Sequence, residues 1–322
     1  MIIIVKSKKM TVYKDAVKHL SPTIYILWLL LLFLTGYFLK SPSLAAESVK
    51  SALEVCAMGL IPSLFPFIVL TGMIISSGLS DKISHILGKP VAYLFGVDKD
   101  CACAVILGCL CGFPIGAVCT RELFASGKIE KSTAERLISF TNNASPAFCI
   151  GTVGLALFSD IGYGIRLYFC QLAAALLIGT VQRKPYKQST HTPSSRSTQP
   201  LSDMLSVAVS EAGLTILKIC SFAVFFAVVG DALAAVCSRF FGELAAALSA
   251  AFCELTLAGR RAASLEMKTA RLIVAFAVGW SGISVHMQCA SVLSGSGIGM
   301  KRYYISKLCQ GVICTLIMLA FV

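Results

Sequence analysis

The sequence predicts an all-α polytopic membrane protein, with about 8–10 transmembrane segments arranged as two inverted repeats that carry broken or re-entrant helices. Three observations predict it. The 322 residues are 57% apolar and only 14% charged, against about 45–50% and about 25% in soluble domains. Apolar runs long enough to cross a bilayer recur along the chain. Lys and Arg gather in the short polar stretches between those runs, where basic residues fix orientation in a membrane. The formal net charge of +12 is thus an orientation signal, and the lipid bilayer, not a nucleic acid, is the expected partner. An ordinary cytoplasmic enzyme and a disordered chain are excluded by the same composition.

The elements follow in order. Lys6, Lys8, Lys9, Lys14 and Lys18 precede an apolar run over 23–39, read as a retained first helix. Leu44-Ala45-Ala46 imitates a signal-peptidase site, and cleavage there is the minor alternative. Further spans are expected at 53–77, 83–97, 101–119, 137–158, 163–181, 205–229, 240–258, 271–293 and 303–322. The run 83–97 is short and holds Lys89-Pro90, which fits a half-helix or a hairpin with 101–119. Between Gln182 and Pro200 lie Arg183, Lys184, Lys187, Arg196, three prolines and many Ser and Thr, the composition of a solvated linker. The chain therefore divides into a basic N-terminus with its first helix (1–50), a first membrane repeat with a separator helix (51–181), a cytoplasmic linker (182–203) and a second repeat (204–322). With the N-terminus cytoplasmic, inside stretches hold 18 basic residues and outside ones seven, and the C-terminus falls inside.

Two Gly-marked runs carry the repeat: Gly112-Phe113-Pro114-Ile115-Gly116-Ala117-Val118 and Gly279-Trp280-Ser281-Gly282-Ile283-Ser284-Val285. The expected pairing sets 53–77 against 205–229, 83–97 against 240–258, 101–119 against 271–293 and 137–158 against 303–322. The single span 163–181 between the units makes their orientations opposite. Inverted repeats with broken helices build the midplane sites of secondary transporters, and irregular backbone at that depth needs protein or a hydrated cavity to satisfy it. Small residues that only let helices pack closely are the alternative reading.

Fourteen cysteines lie mostly inside apolar runs, where Cys acts as a small hydrophobe. Cys101-Ala-Cys103 and Cys109-Leu-Cys111 have no His or carboxylate within their run, so no metal and no cofactor is expected.

At Ile61-Pro62-Ser63-Leu64-Phe65-Pro66-Phe67, Gly112-Phe113-Pro114-Ile115-Gly116-Ala117, Ser139 to Gly154 (SFTNNASPAFCIGTVG) and Gly279 to Gln288 (GWSGISVHMQ), the chain resembles the YlbJ family of sporulation integral membrane proteins. That family belongs to the wider group with the nucleoside-recognition, or Gate, domain. The resemblance spans roughly 53–310. It implies a bacterial plasma-membrane protein linked to spore formation and names no substrate.

Polar residues inside apolar runs are the candidate site. Ionisable side chains at the bilayer centre cost roughly 2.5–3.5 kcal/mol on insertion scales, so each is a functional hypothesis. Lys218 stands at the middle of 205–229, Glu211 is two turns earlier, and Glu254 reaches Lys218 if their helices are antiparallel neighbours. Thr141, Asn142, Asn143 and Ser145 precede Pro146, and an unwound segment there would offer carbonyls and amides to a polar ligand. Gly112, Gly116, Gly279, Ser281, Gly282 and Gln288 complete the expected solute site, with His286 beside it as a coupling or packing group. An interhelical hydrogen-bond clamp is the bland reading of the Asn pair.

The chain holds no GxxxxGK[ST], HExxH or GxSxG pattern, so no enzyme is expected. The expected function is a transporter-like protein that moves or recognises a small polar solute. The alternative is a non-transporting scaffold or assembly factor for the spore envelope. A homo-oligomer is left open.

Overall fold

The computed structural model describes residues 22–184 and 200–322. Most of the linker and the basic N-terminus lie outside the described residues. The described chain is helical throughout, without a β-strand. Five helical stretches are long and apolar enough to cross a bilayer: Pro42–Ser76, Ile161–Val181, Leu201–Phe241, Met267–Leu293 and Lys301–Phe321. This is an all-α polytopic membrane protein.

The described residues divide into two compact units, with the boundary between Glu47 and Ser48. The first contains helix α1 (Pro22–Lys40) and the start of α2 (Pro42–Val55). In the second, α2 passes through a π turn, Cys56–Leu60, into α3 (Ile61–Ser76), and α4 (Leu79–Phe95) follows after Gly78. Then come α5 (Ala102–Leu110), α6 (Ile115–Ala125), α7 (Lys131–Thr141), a π-helical segment (Ala147–Leu157), α8 (Ile161–Val181) and α9 (Leu201–Phe241). The remaining helices are α10 (Glu243–Cys253), α11 (Leu255–Ala262), α12 (Met267–Trp280), α13 (Gly282–Leu293) and α14 (Lys301–Met318).

Four interruptions organise the second unit, and local chemistry explains most of them. Between α5 and α6, Gly112 adopts φ +84° and Phe113-Pro114 is cis, so the i to i−4 ladder stops. Between α7 and the π-helical segment, Asn142 is extended (φ −97°, ψ 93°) and Pro146 supplies no N–H. Between α12 and α13, Ser281 and Gly282 are both left-handed (φ +77° and +74°), a conformation costly for a residue with a Cβ. Between α10 and α11 the break falls at Glu254, extended at φ −149° and capping α11 by accepting from the Leu257 N–H at 2.7 Å.

Each break lies against another. A Cβ on Gly116 would stand 2.3 Å from the Thr141 carbonyl oxygen, and one on Gly112 would stand 3.0 Å from Ser145 Cβ. One on Gly282 would come within 3.1 Å of the Cys253 carbonyl oxygen. The α5–α6 interruption thus seats the one after α7, and the α10–α11 interruption seats the one after α12.

The expected path through the membrane needs correction in its second half. Stretches placed on opposite faces are in contact. Arg271, expected inside, pairs with Asp160 at 2.7 Å, and Arg166, expected outside, lies 3.6 Å from the same carboxylate. Gln182, inside, donates to Ser306 at 2.7 Å, next to the supposedly external Lys301 and Arg302. α12 therefore starts where α8 starts, and α14 starts where α8 ends, running away from the face expected to hold the C-terminus. The reason is that 240–258 is no straight crossing: α10 and α11 are 11 and 8 residues long, and α11 ends with Arg261 paired to Asp231 of α9 at 2.5 Å. The α5–α6 pair folds back similarly. Both flanks touch the first two turns of α4, through Ser84 Oγ to the Asp100 carbonyl (3.3 Å) and Lys128 to Asp81 (2.7 Å).

Candidate functional site

Two polar centres stand in the second unit. The first is the interruption after α7, and its backbone groups are satisfied by side chains from α8 and α14. Lys307 Nζ donates to the Asn142 carbonyl at 2.7 Å and to Gln310 Oε1 at 2.8 Å. Gln171 donates to the Ala144 carbonyl at 2.6 Å and accepts from the Ala144 N–H at 3.1 Å. Asn142 Oδ1 accepts from the Ala117 N–H at 2.9 Å, one of the open donors in the first turn of α6. Asn143 donates to the Phe140 carbonyl at 2.8 Å and accepts from Gln310 Nε2 at 2.8 Å. All these side chains are buried. Lys307 is fully buried, and no carboxylate pairs with it among the described residues. Its charge faces carbonyl dipoles at the C-terminal end of α7, the negative end of that helix.

The second centre is a cavity of about 460 Å³ between α3, α6, α9 and α13. Glu211 and Lys218, two turns apart on α9, face it with Thr71 and Gln288. The break at Pro114 and Ile115 forms part of its wall. Thr71 Oγ1 and Gln288 Oε1 are buried and have no hydrogen-bond partner among the described residues. Leaving such an atom unmet costs about 1–3 kcal/mol, and buried polar groups in folded proteins are nearly always met. Arg121 and Glu122 at the rim pair with each other at 2.9 Å.

Of the residues expected from sequence, the cavity brings together Glu211, Lys218 and Gln288. Asn142 and Asn143 belong instead to the closed network, while Thr141 Oγ1 donates to the Leu137 carbonyl at 2.8 Å and Ser145 Oγ accepts from the Phe148 N–H at 3.2 Å, both local contacts. Gly112, Gly116 and Gly282 are close-approach positions at the paired breaks; Gly279 is another, packed against Gly311 of α14, where a Cβ would stand 2.7 Å from Gly311 Cα. Ser281 is buried at the break itself. Glu254 does not pair with Lys218: its carboxylate accepts from Thr256 Oγ1 (2.5 Å) and the Leu257 N–H, holding the start of α11. His286 stacks edge-on against Trp280, with ring centroids 4.3 Å apart, and its Nδ1 lies 3.1 Å from the Tyr303 hydroxyl.

Sequence reasoning missed Lys307, Gln310 and Gln171. Lys307 stands five residues inside an apolar run, a position that reads as an interfacial lysine, and the two glutamines carry no charge to draw notice. Asp231 was missed as well. It is buried in α9, paired with Arg261 and Arg260 and accepting from Ser48 Oγ at 2.7 Å.

No protein-family model matches the chain, and no solved structure matches it. The chain is 28% identical over 319 residues to the sporulation integral membrane protein YlbJ of Bacillus subtilis (strain 168), covering 87% of this chain and 78% of that protein. A likeness of that extent, joined to the all-helical membrane-spanning build, supports an assignment to the YlbJ family of sporulation integral membrane proteins.

Proposed function

We propose that the protein acts in sporulation as a transporter-like membrane protein that moves or recognises a small polar solute in the cavity between α3, α6, α9 and α13. One observation carries this reading: Thr71 Oγ1 and Gln288 Oε1 are buried, without partners among the described residues, at a cavity that Glu211 and Lys218 also face. A solute with hydrogen-bonding groups would complete both atoms, the usual logic of a polar binding pocket.

An inverted repeat underlies the mechanism, in a register different from the pairing expected from sequence. The unit α5–α6, α7 with the π-helical segment, and α8 answers the unit α10–α11, α12–α13 and α14. Supporting it, α12 starts at the end of the molecule where α8 starts, and α14 starts where α8 ends. Thr133-Ala134-Glu135-Arg136-Leu137-Ile138 of α7 is echoed by Thr269-Ala270-Arg271-Leu272-Ile273 of α12, and Arg166-Leu167-Tyr168 of α8 by Arg302-Tyr303-Tyr304 of α14. Alternating access would rock one unit against the other around the cavity.

The scaffold reading is favoured by a different observation. The Asn142–Asn143 segment is closed by Lys307, Gln310 and Gln171, and glycines pack tightly at both pairs of breaks. Flux of radiolabelled nucleosides, amino acids, sugars and carboxylates into proteoliposomes separates the two. Glu211→Gln and Lys218→Gln are expected to slow the flux of one class at unchanged thermal stability. Equal flux through wild type, variants and empty liposomes for every class would remove the transporter reading and leave the scaffold.

A further inference from the structure

The end of α8 and the start of α14 enclose a separate hollow of about 430 Å³ lined by Gln182, Arg183, Lys184, Arg302, Ile305 and Ser306. Three of these side chains are cationic, and no carboxylate lines the hollow among the described residues. The floor is already committed. Gln182 Nε2 donates to Ser306 Oγ at 2.7 Å, and Gln182 Oε1 accepts from Ser139 Oγ at 3.0 Å. The donors left in the hollow are therefore those of the three cations and the Ser306 hydroxyl proton, since Ser306 Oγ only accepts from Gln182. The Arg183 guanidinium carbon lies 5.0 Å from the centre of the Tyr93 ring, a stacking arrangement that leaves guanidinium N–H edges available for a bidentate contact. Three cationic side chains line one hollow with no carboxylate among its described lining, so an anion there would be attracted by all three.

We propose that this hollow binds a phosphate-bearing anion, held by Arg183, Lys184 and Arg302. The site is independent of the solute cavity. A guanidinium fork matches phosphate oxygens in pairs and a lysine adds a point charge. Basic pockets between helices at a membrane edge take lipid headgroups in this way. The surroundings suit a phospholipid: Val181 and Ile305 beside the cations are 77% and 57% exposed, an apolar flank along which acyl chains can lie. A free phosphate offers the same oxygens without that flank, and the experiment distinguishes the two.

The full chain, purified in detergent, is unfolded thermally with dihexanoylphosphatidylglycerol, dihexanoylphosphatidylcholine or inorganic phosphate. Phosphatidylglycerol is expected to raise the unfolding midpoint and phosphatidylcholine to leave it unchanged. Each basic residue near a membrane surface contributes about 1 kcal/mol, roughly fivefold in affinity. Arg183→Gln/Lys184→Gln/Arg302→Gln should therefore need on the order of 100-fold more phosphatidylglycerol for the same shift. Arg302→Gln alone should need about fivefold more, and it keeps the test decisive if the triple variant does not fold. Inorganic phosphate that stabilises as well as phosphatidylglycerol, with the same dependence on the three residues, assigns the site to a soluble phosphate ligand. Absence of stabilisation by either anion, or stabilisation undiminished in the variants, overturns the proposal.

Discussion

Lys307 Nζ lies 2.7 Å from the carbonyl oxygen of Asn142, so a cation on α14 closes the backbone that α7 leaves open. The interruption is held by a partner 165 residues away in sequence, and its energetics can be measured one side chain at a time.

Lys307→Met preserves length and removes the donor, leaving the Asn142 carbonyl and Gln310 Oε1 without it. A charged hydrogen bond contributes about 1.5–3 kcal/mol and an orphaned buried acceptor about 1–3 kcal/mol. Lys307→Met is expected to destabilise the protein by about 2–4 kcal/mol, read as a lower midpoint in thermal unfolding in detergent. Gln310→Ala should act in the same direction, and the two should be non-additive because they share one network.

Gly116→Ala places a Cβ 2.3 Å from the Thr141 carbonyl oxygen, and Gly108→Ala places one 2.1 Å from the same atom. Both oppose backbone, so neither neighbour can yield by rotating a side chain, and both variants should lose several kcal/mol or fail to accumulate. Gly213→Ala, with nothing within 4 Å of its added Cβ, should be neutral or stabilising by up to about 1 kcal/mol. Yield and melting midpoint of the three variants check the contrast.

Lys218 and Glu254 are not partners, so a double-mutant cycle on Lys218→Leu and Glu254→Leu should return a coupling energy within about 0.5 kcal/mol of zero. Glu254→Leu alone removes the cap of α11 and leaves the Leu257 N–H unmet, a cost of about 1–3 kcal/mol. Lys218→Leu should cost little stability, since no partner in the described residues is lost.

Asp160 stands in the turn before α8. The Tyr163 backbone N–H, and behind it Arg271 and Arg166, hold its carboxyl below the usual value of 3.8. A carboxyl lowered by folding contributes stability above its unfolded value, and that contribution is lost as pH falls through the folded value. Asp160→Asn should therefore destabilise at neutral pH and flatten the loss of stability below about pH 4. Melting midpoints of both proteins between pH 7 and pH 3 give the comparison.

Much of this architecture is legible in residues that act locally. Gly112 with Pro114, Ser281 with Gly282, and Asn142 with Pro146 each announce a broken helix through a left-handed residue or a missing N–H. The break at Glu254 carries no Gly or Pro, and hydropathy alone merges α10 and α11 into one crossing. That merger reverses every later segment, which is why Arg271 was expected on the wrong face. Gly230-Asp231 resembles a turn, yet α9 continues through it, because Cys253 packs against Gly230 and Arg261 neutralises Asp231. The polar character of Asn142 and Asn143 is evident from sequence, whereas their occupation by Gln171, Lys307 and Gln310 depends on which helices become neighbours. Glu211 and Lys218 share a helix face that two-turn spacing reveals; Thr71 and Gln288, which meet them across the cavity, do not declare themselves that way.

The long reach between Asn142 and Lys307 bears on biogenesis. A nascent chain inserts α7 long before the ribosome has made α14, so the Asn142 carbonyl and the Asn143 amide wait in the bilayer without their final partners. Water, lipid headgroups or an insertase must shield that stretch meanwhile, because exposed peptide groups are costly in hydrocarbon. Truncation before Lys301 should therefore leave the first half vulnerable to membrane quality-control proteases, even though every helix it needs has already been synthesised.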